Sequence, residues 1–357
     1  MLNVTQTFLP PLEEYTKLLE SVWESKWLTN RGELVRELEA RLCQYLGISN
    51  LLAVTNGTIA LQIAIKALGL KGEILTTPFS YVATASSIVW DGCTPVFVDI
   101  DPDYWTIDEK LIESAITERT SAILATHVFG NPCNVEAIET IAKKHDLKVI
   151  YDAAHCFGVK YKGESVLNWG DASTLSFHAT KLFHTGEGGA IVCRNESIAK
   201  DVFDNHNFGH NGPEEFFGLG INGKMSELNA AMGLAVMEHV DEIIAKRRAI
   251  CEAYENALAN KSVETIKLRP GTDWNYSYYP VVFESETEML RVKFAMNAAD
   301  IFPRRYFYPS LNELPYLPPT QMPVAEHLSG RILCLPLSTE LTEVDIRMIT
   351  QTLVNNV

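Results

Sequence analysis

The chain has no long run of basic residues. Its 357 residues carry 30 Lys and Arg against 45 Asp and Glu, a formal net charge of −15. Such an acidic surface argues against nucleic acid or an anionic membrane surface as the main partner. A small phosphorylated ligand remains compatible, because a few backbone amides and one lysine are enough to hold a phosphate. Also missing is any apolar stretch near the roughly 20 residues that a membrane span requires. The first residues, Met1 to Thr5, show no basic region followed by an apolar run, so no secretory leader is expected. Cysteine is scarce and irregular: the seven, at 43, 93, 133, 156, 193, 251 and 334, form no Cys-x-x-Cys pair. Thiols scattered in this way are expected to be reduced and mostly buried, in a cytoplasmic protein without disulfides. Low-complexity linkers and internal repeats are absent as well.

What is present alternates. Leu34, Val35, Leu38, Leu42 and Leu46 recur at helical spacing, and Gly47 is a plausible stop. Short apolar runs predict strands at 51–54, 73–76, 95–98, 122–125, 149–151 and 174–177. Helical patterns fall between them at 59–68, 81–90, 108–116 and 134–145. Buried strands separated by helices imply an α/β class, a largely parallel sheet covered on both faces. Ligands of such sheets sit at the carboxyl ends of the strands. Beyond Lys224 a helical pattern from Glu227 toward Leu258 reads as one bent helix leading out of the sheet. A strand at 276–283, a helix at 286–299, a strand near 301–307 and a closing helix from Thr342 then suggest a smaller α+β unit. The expected division is 1–245, with an N-terminal arm, and 246–357.

Three segments at predicted strand ends could carry chemistry. Thr55-Asn56-Gly57-Thr58 opens a helix, so the amides of Gly57 and Thr58 can cradle a phosphate at the positive end of the helix dipole. Asp152 ends a buried strand, where a carboxylate can hold the charged nitrogen of a pyridine ring. Ser176 and Lys181 follow the next strand. A lysine there is partly stripped of water, which lowers its pKa and frees its amine for covalent work. Taken singly, each has a plainer reading: a turn capped by Thr58, an aspartate capping the next helix, a surface lysine. Their order and spacing favour the joint one.

The same order marks a resemblance. Trp27-Leu28-Thr29-Asn30-Arg31-Gly32, Thr55-Asn56-Gly57-Thr58, Thr77-Pro78-Phe79-Ser80-Tyr81-Val82-Ala83-Thr84, Asp152-Ala153-Ala154-His155, Ser176-Phe177-His178-Ala179-Thr180-Lys181 and Gly223-Lys224-Met225-Ser226-Glu227-Leu228 run nearly the length of the chain. Together they resemble the DegT/DnrJ/EryC1/StrS sugar aminotransferases. The resemblance implies the aspartate-aminotransferase-like fold type I of pyridoxal 5′-phosphate enzymes. It implies Lys181 as the lysine that bonds the cofactor and Asp152 as partner of the ring nitrogen. Gly57, Thr58 and Ser176 would hold the phosphate, Tyr81 would stack on the ring, and His155 would lie near the ring oxygen. Asn222 would reach the phosphate across a homodimer interface with shared active sites, and Thr29, His178 and Lys224 would face substrate. Lys224 stands where the family commonly has Arg, and loses its planar fork. The implied reaction moves an amino group from L-glutamate, leaving 2-oxoglutarate, to a nucleotide-linked keto-6-deoxy sugar. The first expectation is dTDP-4-keto-6-deoxy-D-glucose; a 3-keto isomer, a GDP- or UDP-sugar, or a sugar dehydration are the alternatives.

Two features point elsewhere. Gly218-x-Gly220-x-x-Gly223 matches a dinucleotide fingerprint, but no buried strand precedes it. His206 and His210 are four apart, yet Gly209 disfavours a helix between them, so no metal site is expected.

Overall fold

The computed structural model describes residues 1–357. Seven strands build the central sheet: β1 Leu51–Val54, β2 Glu73–Thr76, β3 Thr94–Phe97, β4 Thr120–Thr126, β5 Lys148–Asp152, β6 Ala172–Ser176 and β7 Gly189–Cys193. Their spatial order is β1-β7-β6-β5-β4-β2-β3. All residues of β1, β2 and β7 are buried, as expected of strands covered on both sides. Helices Glu33–Leu46, Val135–His145 and Glu227–Met237 pack against one face, and Gly57–Ala67, Val82–Trp90 and Glu196–His206 against the other.

The sheet is parallel except at β7, which runs antiparallel to both neighbours, β6 and β1. A parallel return would need a crossover, usually a helix. Residues 177–188 form only a loop, so the chain re-enters the sheet at the end where it left. That loop carries Lys181, which therefore lies at the carboxyl end of β6.

The helix anticipated from Glu227 to Leu258 is two helices, Glu227–Met237 and Val240–Leu258. The halves answer to different cores. Ala230, Ala231 and Leu234 pack under the sheet, whereas Ile250, Tyr254 and Leu258 join the C-terminal cluster with Tyr279, Leu333 and Ile349. The strand anticipated near 301–307 shrinks to Ile301–Phe302, paired with Leu2–Asn3. Pro303 has no N–H to continue the ladder, and Arg304 turns to a different strand, with a single antiparallel bridge to Cys334. Tyr279–Val282 is the middle strand of a three-stranded sheet, between Glu264–Thr265 and Ile332–Leu335. The helices Leu12–Ser25, Glu196–His206 and Pro323–Arg331 were not legible in the pattern. The expected boundary at 245/246 falls inside Val240–Leu258. The C-terminal part is tied to the sheet by Asp99, whose carboxylate accepts from the Val324 and Ala325 amides at 2.9 and 3.0 Å.

One buried carboxylate joins two distant helices. Glu227, 2% exposed, accepts from the Leu34 amide at 2.8 Å and the Val35 amide at 3.4 Å. It thus satisfies two donors that the start of Glu33–Leu46 would otherwise leave open, where Gly32 offers no side-chain cap. Glu227→Ala should lower unfolding free energy by about 1–3 kcal/mol, the cost of stranding buried donors. A urea titration with unchanged midpoint would contradict this role.

Candidate active site

A cavity of 540 Å³ opens at the carboxyl ends of the sheet strands. Its wall includes Asn56–Thr58 after β1, Ser80 and Tyr81 after β2, Thr126 ending β4, Asp152 ending β5, Ser176 ending β6, and Lys181. The far wall comes from the C-terminal part: Tyr278, Arg304, Tyr306 and Phe307.

At the first corner, Asn56 rather than Thr58 caps the helix. Its side chain accepts from the Ile59 amide at 2.9 Å. The amides of Gly57 and Thr58 have no acceptor within the chain, and neither does the Thr58 hydroxyl a partner. Two free amides at a helix start make an anion cradle. Gly57 is required by close approach: a Cβ there would stand 2.9 Å from Cβ of Ser176. Ser176 lies against this cradle and lines the same cavity.

Asp152 caps no helix, since turns follow it. It is 5% exposed. Its Oδ1 accepts from the Ala154 amide at 3.1 Å and its Oδ2 from the Thr84 hydroxyl at 2.7 Å. Burial pushes its pKa above the ordinary carboxylate value, against the pull of those two donors and the Lys181 charge.

His155 Nδ1 accepts from the Phe129 amide at 3.1 Å, which fixes the proton on Nε2. Burial, and to a lesser degree Lys181, holds its pKa well below the usual histidine value. A neutral imidazole with an N–H donor therefore borders the cavity, its ring parallel to those of Phe129 and Phe307, which also pack on each other. Tyr81, 57% exposed, opens the helix Val82–Trp90 and presents its ring at the cavity.

Lys181 Nζ makes no hydrogen bond or ion pair; it lies 5.7 Å above the centre of the Tyr278 ring. Loss of water around the ammonium brings its pKa from 10.5 down to about 8, although Asp152 pulls the other way. The free amine therefore gains population as pH rises through 8. Capture of an aldehyde by the apoprotein should accelerate between pH 6.5 and 9 with a midpoint near 8, measured by stopped-flow absorbance with pyridoxal 5′-phosphate. A midpoint near 10.5 would show an ordinary lysine.

His178 also lines the cavity, its Nδ1 2.8 Å from the Thr180 hydroxyl and its Nε2 3.6 Å from Glu187. Thr29, Asn222 and Lys224 do not line it. The segment of Asn222 and Lys224 runs close by, since the Gly223 carbonyl accepts from the Thr55 amide at 2.8 Å. Lys224 is nevertheless turned to Asn207 Oδ1 at 2.9 Å and lies over the Phe208 ring. Two glycines of the false dinucleotide signature serve packing: a Cβ on Gly220 would stand 2.4 Å from the Gly209 nitrogen and one on Gly223 2.7 Å from Ile63 Cδ1, while Gly218 faces open space. His206 ends a helix and bonds the Phe203 carbonyl, while His210 sits in a two-residue hairpin strand.

The sequence reading missed Thr84, Thr126, Tyr278, Arg304, Tyr306 and Phe307. Thr84 lay inside a quoted motif, but nothing there showed that it faces Asp152.

Anion cradle, buried carboxylate and unpaired amine thus share one cavity. Pyridoxal 5′-phosphate presents a phosphate, a basic ring nitrogen and an aldehyde, and these residues fit all three.

Comparison with known proteins agrees. The profile of the DegT/DnrJ/EryC1/StrS aminotransferase family matches residues 12–354. A dTDP-4-amino-4,6-dideoxy-D-glucose transaminase of Shigella dysenteriae is 44% identical over 98% of this chain and 97% of its own. A GDP-perosamine synthase of Vibrio cholerae is 30% identical over 90% of this chain and 87% of its own. Among solved structures, that of DesI in the presence of its TDP-sugar product superposes with a TM-score of 0.94, at 34% identity, covering 99% of this chain and 92% of that one.

Proposed function

From a chain that belongs to the DegT/DnrJ/EryC1/StrS aminotransferase family, a pyridoxal phosphate-dependent sugar-nucleotide aminotransferase, we propose amination of dTDP-4-keto-6-deoxy-D-glucose at C4, with L-glutamate as donor. The observation that carries the reaction is the meeting of Lys181, Asp152 and the free Gly57 and Thr58 amides in one cavity. The likeness to the Shigella transaminase and to DesI with a TDP-sugar supports the substrate.

When bound, pyridoxal phosphate supplies an electron sink conjugated to the reacting carbon. The protein's part follows from its own groups. Lys181 would hold the cofactor through its aldehyde carbon; once displaced by the donor, its amine would serve as the base that takes the Cα proton and the acid that returns it. Asp152 would keep the proton on the ring nitrogen. His155 Nε2–H would donate to the ring oxygen, and Tyr81 would cover one face of the ring. The amides of Gly57 and Thr58 and the hydroxyls of Thr58 and Ser176 would hold the phosphate. Glutamate would be released as 2-oxoglutarate, and its amino group would end on the sugar carbon in place of the keto oxygen. His178 touches the sugar, and residues 246–357 supply the wall that confines it.

The test is a panel of dTDP-, GDP- and UDP-linked keto sugars with L-glutamate, the product linkage read by NMR. A C4 amine on the dTDP sugar is expected. Amination at C3, or preference for GDP or UDP, would replace the substrate assignment while leaving the transaminase intact.

We propose in addition a homodimer in which Asn222, Thr29 and Lys224 serve the partner's site. Support comes from their absence from the cavity of their own chain and from exposed Trp23, Trp27, Leu28, Phe208, Phe216 and Phe217. Two-fold symmetry would make each chain lend its segment to the other. Mixing inactive Lys181→Ala with an inactive Asn222→Ala variant should restore up to about a quarter of wild-type activity, since half the dimers are hybrids and each has one intact site. Hybrids that form but stay inactive would rule out sharing.

A further inference from the structure

Behind Asp152 lies a run of three hydroxyls. Thr84 Oγ1 donates to Asp152 Oδ2 at 2.7 Å, Ser80 Oγ lies 2.7 Å from Thr84 Oγ1, and Thr126 Oγ1 lies 3.0 Å from Ser80 Oγ. All three are nearly sealed from solvent, at 0%, 2% and 3% exposure. They come from three places in the sequence: the helix Val82–Trp90, the loop before it, and the end of β4.

Elementary hydrogen counting fixes the direction of the run. An ionised carboxylate only accepts, so the one hydroxyl hydrogen of Thr84 is committed to Asp152. Ser80 must then donate to Thr84, and Thr126 to Ser80. Every hydrogen points the same way, and bonds aligned in this manner polarise one another. Were Asp152 to take a proton on Oδ2, it would become a donor facing a donor, and all three hydroxyls would have to turn. The other groups facing Asp152 are the Ala154 amide on Oδ1, the Lys181 ammonium from the loop after β6, and the uncharged His155 and Cys156 on its own segment. Thr84 is thus the one side chain bonded to this carboxylate.

We propose that Thr84, backed by Ser80 and Thr126, is a positioning residue that keeps Asp152 ionised and aimed at the cofactor's ring nitrogen. This rests on reading Asp152 as the partner of that nitrogen. A merely space-filling threonine would have its shape reproduced by valine, and its methyl would matter more than its oxygen. A relay makes the opposite demand.

The test compares Thr84→Val, which keeps the shape, with Thr84→Ser, which keeps the hydroxyl. In the apoprotein, the Asp152 carboxyl is followed by isotope-edited infrared spectroscopy through a pH titration; cofactor affinity is measured separately with pyridoxal 5′-phosphate. Thr84→Val should raise the Asp152 titration by about one pH unit and weaken the cofactor by up to about tenfold, no more than loss of the carboxylate charge itself in Asp152→Asn. Thr84→Ser should restore both to within about twofold. Ser80→Ala, one step removed and safe for folding should Thr84→Val prove unstable, should shift both readouts in the same direction by less. Unchanged titration in Thr84→Val, or a serine variant as impaired as the valine one, would overturn the proposal. Asp152→Asn is run beside them. If that variant binds the cofactor normally, the reading of Asp152 itself has failed; if it is impaired while Thr84→Val is not, only the relay has.

Discussion

Lys181→Ala should abolish amino transfer, a loss of roughly 10⁴-fold or more. A positioned general base contributes about 10²–10⁴-fold by itself, and the variant also loses the covalent hold on the cofactor. The visible absorbance of bound cofactor should change with it. The fold should survive, because Lys181 Nζ has no hydrogen-bond partner to strand. The variant should even gain slightly in stability at neutral pH. With a folded pKa of about 8 below the ordinary 10.5, the wild-type lysine opposes folding. That cost is absent above 10.5, grows as pH falls toward 8, and is full below it. Chemical denaturation of the apoproteins at pH 7 and pH 10 reads the difference. Near wild-type turnover by the variant would remove Lys181 from the mechanism.

Asp152→Asn should reduce turnover by about 100-fold or more, because an amide can hydrogen-bond the ring nitrogen but cannot balance its charge. Retention of cofactor should suffer less, by about tenfold, since the cradle at Gly57 and Thr58 is untouched. The two effects part company in a KM-against-kcat comparison and an independent titration of the apoprotein with pyridoxal phosphate. Equal kinetics in aspartate and asparagine enzymes would leave Asp152 a structural turn residue.

Lys181 and Asp152 were legible because each follows a buried strand, and strand ends are where α/β sheets place their chemistry. The free Gly57 and Thr58 amides were legible for the same reason, but their cap was not: Asn56 and Thr58 both have the right chemistry, and only backbone geometry decides. The tautomer of His155 depends on the amide of Phe129, 26 residues earlier, and Thr84 meets Asp152 across 68 residues. No local pattern encodes either contact. The reversal of β7 was similarly hidden, since a fully buried strand looks alike in both directions. The wall at Tyr278, Arg304, Tyr306 and Phe307 exists only once the C-terminal part has docked.

Glu227 and the amide of Leu34 stand 193 residues apart in sequence, yet neither helix start can open without the other losing its partner. The amides of Leu34 and Val35 should therefore exchange with deuterium only in the same infrequent excursions that expose the Glu227 carboxylate. Although it lies near a chain end, the helix Glu33–Leu46 should resist proteolysis as firmly as the sheet it covers. The loop carrying Asn222 leads directly into this fastening, which fixes one end of that short segment.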